Sequence, residues 1–359
     1  MAEDLGNYSL EELRGILKEF KLSPQEYFFN PMQSGLINDT FLVLAGDHPE
    51  FILQRINQNV FENVEGLMTN LDRALKKLKG SSYTRIKLIP ATSGKMYASL
   101  PSGYWRIMTY IPNSLTYNTS EDPKIAFEAG RIIGEFHVLL ASENNNQYSD
   151  TIYKFHDLEF RKMQFLAALA RATKATKDTA EKGILLAHQM LEQLQYLPEN
   201  LPLRICHNDT KLNNILFSKT TNKALCLIDL DTIMKGHLHY DIGDAVRTLV
   251  NTAPEDEQDH SKINFNPALF EAFIEGLCSS GTFLSDDELS AIPEGVILMP
   301  FLHGIRALTD FLNNNLYYKV SYDTQNLDRA LSLFNFAEKA IAQKAHMQNV
   351  VSKYAQQVK

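Results

Sequence analysis

Cysteine is scarce in this chain: Cys206, Cys226 and Cys278 are the only three among 359 residues, an odd number with no C-x-x-C spacing. That argues against a disulfide framework or a paired-thiol zinc site and leaves the three to act as small buried apolar side chains. Positive charge is also in short supply. The formal net charge is −8, whereas nucleic-acid phosphates are held by concentrated Lys and Arg, so no nucleic-acid partner is expected. The densest basic set, Lys76, Lys77 and Lys79, falls on a helical pattern and reads as a solvated face. Long hydrophobic runs are missing as well. The longest candidate, Val296 to Leu302, contains Pro300 and falls short of the about 20 apolar residues that cross a bilayer, so no membrane association is expected. Met1-Ala2-Glu3-Asp4 has neither the basic flank nor the apolar core of a secretion signal, and the expected location is the cytoplasm.

The rest of the composition is that of a globular protein, with 44% hydrophobic and 22% charged residues. The length exceeds what one hydrophobic core usually supports, so two lobes with a ligand cleft between them are expected. Ser9-Leu10-Glu11-Glu12 fits a capping box opening an amphipathic helix through Phe20. Phe41 to Leu44 and Phe51 to Leu53 bracket a turn-rich segment and predict a β-hairpin. A longer helix follows over 61–78, then strands at 85–89 and 103–110. Ile111-Pro112-Asn113-Ser114 breaks both patterns and marks a hinge at about 110–114. The reading is an α+β chain with a small β-rich lobe, 1–110, and a larger, mainly helical lobe, 111–359. Strands and turns return only over 203–231.

That returning segment carries the chemistry. His207, Asp209 and Asn214 stand in H-x-D-x-x-x-x-N spacing, and an apolar strand from Ala224 to Ile228 runs into Asp229. Phosphoryl transfer needs a carboxylate to orient the attacking hydroxyl, plus an amide oxygen and a second carboxylate to hold Mg²⁺ on ATP. Asp209 fits the first role, as catalytic residue and acceptor contact; Asn214 and Asp229 fit the metal roles. Asp231 is a further metal ligand or acceptor contact, or a structural hydrogen-bonding group. His207 reads as a residue that positions the loop.

His207 to Leu216 and Ile228 to Met234 resemble the catalytic and metal segments of the aminoglycoside phosphotransferase and choline kinase group, which has the two-lobed protein-kinase-like fold. The likeness extends from Gly35-Leu36-Ile37-Asn38 through Ile52-Leu53-Gln54-Arg55 to Arg306. It implies ATP and Mg²⁺ as cofactors and a small-molecule acceptor, most similar to the sugar kinases acting on the anomeric hydroxyl of N-acetylhexosamines. Choline, ethanolamine or an aminoglycoside is the alternative acceptor, and a nucleotide-binding scaffold the non-enzymatic one. A choline site would want an aromatic cage, and the chain has one tryptophan, Trp105, in the first lobe.

By the same resemblance, Ser34, Gly35, Asn38 and Thr40 belong to a phosphate-covering turn, and main-chain groups at Tyr110 and Ile111 hold adenine. Arg306 and Tyr317 face the sugar, although Arg306 could instead pair with Asp310 one turn later. The third strand carries no lysine for the nucleotide phosphates, leaving Arg55 or Gln54 in that place. Leu36 and Thr248 replace a histidine and an aromatic residue of the sugar kinases. Asp241 and Asp244 are expected to brace the catalytic loop or cap a helix. The protein is expected to act as a monomer or dimer.

Overall fold

The computed structural model describes residues 5–32, 37–194, 201–281 and 283–358. Ser34, Gly35 and Leu36 of the expected phosphate turn lie outside the described residues.

The first part is a five-stranded antiparallel sheet with a helix on each face. Helix α1 (Leu10–Leu17) starts where Ser9 Oγ accepts the Glu12 amide at 3.1 Å. Strands β1 (Tyr27–Pro31), β2 (Asp39–Ala45) and β3 (His48–Ile56) follow, then α2 (Val64–Lys77), β4 (Ala98–Leu100) and β5 (Gly103–Thr109), in sheet order β1-β2-β3-β5-β4. The expected hairpin is β2–β3, turning at Gly46, whose φ of 58° suits a residue without Cβ. The expected strand at 85–89 is reduced to one bridge, Leu88 to Met108. Thr109 N donates to Lys87 O and Ile89 N to Ile107 O, both at 2.9 Å, so the segment stays beside β5 only around residue 88, while Thr84 donates to Leu225 O in the second part at 2.7 Å.

Alternation of side chains divides the two faces of this sheet. Phe41, Val43, Leu53, Trp105 and Ile107 point to α1 and form a small core with Leu13, Ile16 and Leu17. Thr40, Gln54 and Arg106 are register partners across β2, β3 and β5 and share the opposite face, toward α2. Residues of α2 belong to the larger core that fills the second part.

After β5 the chain changes sheets. Strand β6 (Ser114–Leu115) pairs with β8 (Ile215–Ser218), which pairs with β9 (Ala224–Leu227), so residues 110–113 connect the two parts. The second part is mostly helical: α3 (Pro123–Leu140), α4 (Leu158–Arg171), α5 (Lys174–Thr179), α6 (Glu181–Gln193), α7 (Leu238–Leu249), α8 (Pro267–Cys278), α9 (Asp286–Leu312), α10 (Gln325–Ala342) and α11 (Lys344–Val358). Strands β7 (Arg204–Cys206) and β10 (Met234–Gly236) form a short antiparallel pair.

Helix α9 differs from the sequence reading, because it runs unbroken through Pro293 and Pro300. Its apolar window has a mean hydropathy of 1.3 and is 83% buried inside the protein; among the described residues it is the one helix long and apolar enough to cross a membrane. It crosses α7 at a glycine contact. A Cβ on Gly243 would lie 2.1 Å from Gly295 O, so only glycine lets the two backbones meet there. That contact seats the start of α7, and with it Asp241, under the catalytic loop.

Candidate active site

Strand β7 ends at Cys206, and the loop that follows is held from below. Asp241, fully buried in the first turn of α7, accepts the His207 amide at 2.9 Å and the Asn208 amide at 2.7 Å, while His137 Nε2 of α3 lies 3.1 Å from it. Asn208 adopts φ 63°, a conformation asparagine tolerates better than most residues, and its side chain donates to Cys206 O and Thr232 O. His207 Nδ1 accepts the Asp209 amide at 3.2 Å, so Nε2 carries the proton and donates to Ile228 O at 2.9 Å. Both ring nitrogens are therefore spent on tying the catalytic loop to the β9 exit. Thr248 accepts the Leu212 amide at 2.9 Å and braces the same loop.

At its open edge the loop presents Asp209. Asn214 Nδ2 donates to both Asp209 O and Asp209 Oδ2 at 2.8 Å, and Lys211 Nζ lies 3.0 Å from Oδ2. The Asn214 amide nitrogen is thus committed, which leaves its oxygen as the ligand atom for a cation. Asp229 follows β9 in a left-handed turn, φ 59° and ψ 53°, strained for a residue with a Cβ. Its carboxylate opens to the cleft, yet protein crowds it on every other side. Burial first, then the charges of Asp231 and Asp209, push its pKa up to about 6. Burial disfavours the Lys211 charge, but Asp209 and Asp229 outweigh it and raise that pKa. An oxygen-only, mutually repelling donor set of this kind fits a hard divalent cation such as Mg²⁺.

The turn at Asp229 sends Asp231 elsewhere. Asp231 Oδ2 accepts from Asn38 Nδ2 at 2.6 Å, and Oδ1 lies 2.5 Å from Arg106 Nη1. Both oxygens are tied to the first part of the chain, so Asp231 joins the first sheet to the second part here rather than standing beside Asp229 with free oxygens. Asn38 also accepts the Asn57 amide at 3.0 Å. Thr40 accepts from Gln54 Nε2 at 3.1 Å, and Gln54 Oε1 receives Arg106 Nε at 3.0 Å and Nη2 at 2.8 Å.

Arg55, expected near the phosphates, faces the other way. As the register partner of Trp105 it points to the α1 side, where Nε donates to Ser102 O at 2.7 Å and Nη1 lies 3.4 Å from Asp39. Arg106 was not anticipated. Its one signal in the sequence is a charge embedded in the apolar strand Tyr104-Trp105-Arg106-Ile107-Met108. At the connection between lobes, Tyr110 N donates to Glu50 O at 2.9 Å and Ile111 O accepts from Ser114 Oγ at 2.6 Å; both residues are half-buried.

Arg306, Tyr317 and Arg161 gather near His156, at the far side of the loop. The Arg306 guanidinium sits 4.8 Å from the Phe155 ring centroid, and Arg161 donates to Phe155 O and Gln164. Tyr317, half-exposed, has its hydroxyl against Arg306. The alternative pairing of Arg306 with Asp310 is not made: Asp310 accepts instead from the Tyr317 and Tyr318 amides and from Asn326. Among the described residues no carboxylate lies within 4.0 Å of Arg306 or Arg161. Burial and then Arg306 lower the Arg161 pKa to about 10. His156 connects this group to the loop through Asn208 O at 3.0 Å; burial, then His303 and Arg306, hold its pKa down to about 3. Asp244 braces rather than faces the cleft, 2.6 Å from Arg247 and 3.1 Å from His303.

A family model described as "Phosphotransferase enzyme family" matches residues 29–281. Among solved structures, a microcompartment-associated aminopropanol kinase is 18% identical with a TM-score of 0.63, covering 94% of this chain and 98% of its own. Spectinomycin phosphotransferase, solved with ADP and spectinomycin, is 13% identical with a TM-score of 0.63, covering 94% and 99%. Choline kinase from Cryptosporidium parvum Iowa II is 14% identical with a TM-score of 0.58, covering 97% of each. At these identities the likeness is one of fold: a kinase-like α+β arrangement, with a small antiparallel sheet followed by a mainly helical part.

Proposed function

The chain belongs to the phosphotransferase enzyme family, and from that premise we propose that it is an ATP- and Mg²⁺-dependent kinase of a small hydroxylated metabolite, the anomeric hydroxyl of an N-acetylhexosamine fitting best. ATP lies between lobes 1–110 and 111–359, with adenine against the Tyr110–Ile111 main chain and the phosphates under Asn38 and Thr40. The observation that carries this reading is the cluster of Asp209, Asn214, Lys211 and Asp229 on a loop anchored by Asp241. A scaffold with no activity would have no need of it.

In this reading Asp209 orients the acceptor hydroxyl and takes up its proton as the bond from that oxygen to the γ phosphorus forms and the bond from the γ phosphorus to the β,γ-bridging oxygen breaks, releasing ADP. Asn214 fixes the rotamer of that carboxylate, and Lys211 offsets its charge and faces the transferred phosphoryl group. Asn214 Oδ1 and Asp229 would hold Mg²⁺, which when bound neutralises charge on the β and γ phosphates. Asp231 is the third oxygen-bearing group nearby, engaged with Asn38 and Arg106.

The acceptor side favours a neutral, oxygen-rich molecule over an amine. Choline or an aminoglycoside would bring positive charge beside Arg306 and Arg161, neither of which has a carboxylate within 4.0 Å among the described residues. At about 4 Å such a repulsion is worth ~1–4 kcal/mol at effective dielectrics between bulk water and a protein surface. A sugar hydroxyl or acetamido oxygen instead accepts from both guanidinium groups and from Tyr317.

The test is phosphorylation of a panel: N-acetylglucosamine, N-acetylgalactosamine, other hexoses, choline, aminopropanol and kanamycin, each with Mg²⁺-ATP, products assigned by phosphorus NMR. An anomeric sugar phosphate is the expected product. Transfer to the amines alone would overturn the acceptor assignment. Asp209→Asn is expected to lower turnover at least about a hundredfold while ATP binding is retained.

A further inference from the structure

We infer that Arg106 is the residue whose positive charge grips the non-transferred phosphates of the nucleotide, with Gln54 as its positioning residue; the inference rests on the kinase reading above. Kinases place a lysine on the third strand for this task, paired with a glutamate from the helix behind it. Here the cleft-facing slot of β3 is Gln54, and the neighbouring cation, Arg55, is turned to the α1 face and spent on Ser102 and Asp39. The first lobe would therefore lack a phosphate-facing charge at β3.

Arg106 fills that gap from the next strand. Gln54 and Arg106 are direct cross-strand partners, so their side chains rise side by side from the same face. Gln54 Oε1 receives both Nε and Nη2, fixing the plane of the guanidinium and aiming Nη1 across the cleft at Asp231, two residues beyond Asp229. The helix behind offers no carboxylate at this point: Met68 Sδ of α2 lies 4.0 Å from Nη1. The carboxylate partner therefore comes from the metal segment.

Arg106 is 1% exposed, and a guanidinium that deep is kept only if its donors are used. Of its five N–H groups, two go to Gln54 and one to Asp231. The weak Nη1 contact to the Met68 sulfur takes a fourth, so the second N–H of Nη2 is left for a phosphate oxygen, and the sulfur contact is the one a second phosphate oxygen would displace. The Asp231 contact holds the side chain in the cleft before nucleotide arrives, and no rearrangement of Gln54 is needed when it does.

The experiment measures calorimetric Kd for Mg²⁺-ATP, and KM for ATP and for the acceptor separately, in the wild type, Arg106→Met, Arg106→Lys and the double variant Gln54→Lys with Arg106→Met. Loss of the guanidinium is expected to weaken ATP at least about tenfold and leave acceptor KM within about twofold. Arg106→Lys should fall between, and a lysine at position 54 should recover most of the loss by restoring a charge from the neighbouring strand. An unchanged ATP Kd in folded Arg106→Met, or equal losses for both substrates, would make Arg106 a purely structural tie between the lobes and end the inference. Should Arg106→Met fail to fold, Arg106→Lys with unaltered ATP affinity is equally fatal. A wild type that neither binds ATP nor transfers phosphate would instead bring down the kinase reading itself.

Discussion

The two sides of the cleft are built on opposite electrostatic plans. On the side read above as the nucleotide side most charges are engaged, Asp231 with Arg106 and Asn38, Gln54 with Arg106 and Thr40, Asp209 with Asn214 and Lys211, and Asp229, repelled by Asp231 and Asp209, is the exception. On the side read above as the acceptor side Arg306 lies over the Phe155 ring and Arg161 donates to Phe155 O, with no carboxylate within 4.0 Å of either among the described residues, and Asp310 is consumed by backbone amides. A network closed on itself fixes geometry, which suits a reaction governed by positioning. Donors left over fix nothing until a ligand supplies acceptors, which suits the part of the site that discriminates between molecules. On the kinase reading proposed above, the contrast assigns catalysis and specificity to different structural regimes within one cleft.

Breaking the closed side should cost most. Asp241→Ala leaves two buried amides and His137 facing a void, so we expect a stability loss of about 3 kcal/mol or more and turnover lower by about a hundredfold where the protein is still folded. Denaturant unfolding and steady-state assays of the same preparation check this, and a variant with native activity would mean the loop holds its shape unaided. The open side should respond differently. Arg306→Ala removes a donor that no protein carboxylate depends on, so stability should move by less than about 1 kcal/mol while acceptor KM rises about tenfold to fiftyfold. An equal rise in ATP KM would erase the distinction between the two sides.

How much of this was legible in the sequence follows the same division. The cluster Asp209, Asn214 and Asp229 could be read because its members lie within 21 residues of one another and their spacing is set by one loop and one short strand. Asp241 was legible as a brace for a similar reason: a carboxylate at a helix start seeks amides. Arg106 and Arg55 were not, because which face a strand residue occupies depends on register with neighbours, and one step in phase exchanges Gln54 for Arg55. The pairing of Asp231 with Asn38 spans 193 positions and has no local signature. The strand expected at 85–89 is shortened to a bridge at Leu88 because Thr84 is bonded to a distant segment, and the short apolar run Val296 to Leu302 lies inside a longer helix because tertiary packing carries α9 through two prolines. Arg306 was left between two partners, and only the loop geometry after α9 shows that Asp310 is already taken.

The smallest effect is a slope, and it reads the uncompensated side through acid. His156 and His239 are both buried with pKa values lowered to about 3, by burial first and then by His303 and Arg306 in one case and by His237 in the other. In the unfolded chain each returns to about 6.5. Between those limits the unfolded state binds more protons than the native one, so stability must fall as pH drops below about 6.5, by ~1.4 kcal/mol per pH unit for each histidine. The buried carboxylates add their own loss later: Glu255 is held down to about 2 against its burial by Arg247, so its contribution fades only below about 4.5. Within the window from pH 5.5 to 4.5 Asp229 works against the histidines: its native pKa of about 6 lies above the ordinary carboxylate value, so the native state gains a proton there and offsets about one of them. His156→Gln retains an amide donor for Asn208 O and removes one titration, so unfolding free energies from urea titrations across that window should lose ~1.4 kcal/mol per unit from their slope. A slope unchanged in His156→Gln would show that His156 is protonated in the native state as well, and the surroundings of Arg306 would then carry one more positive charge than this geometry supports.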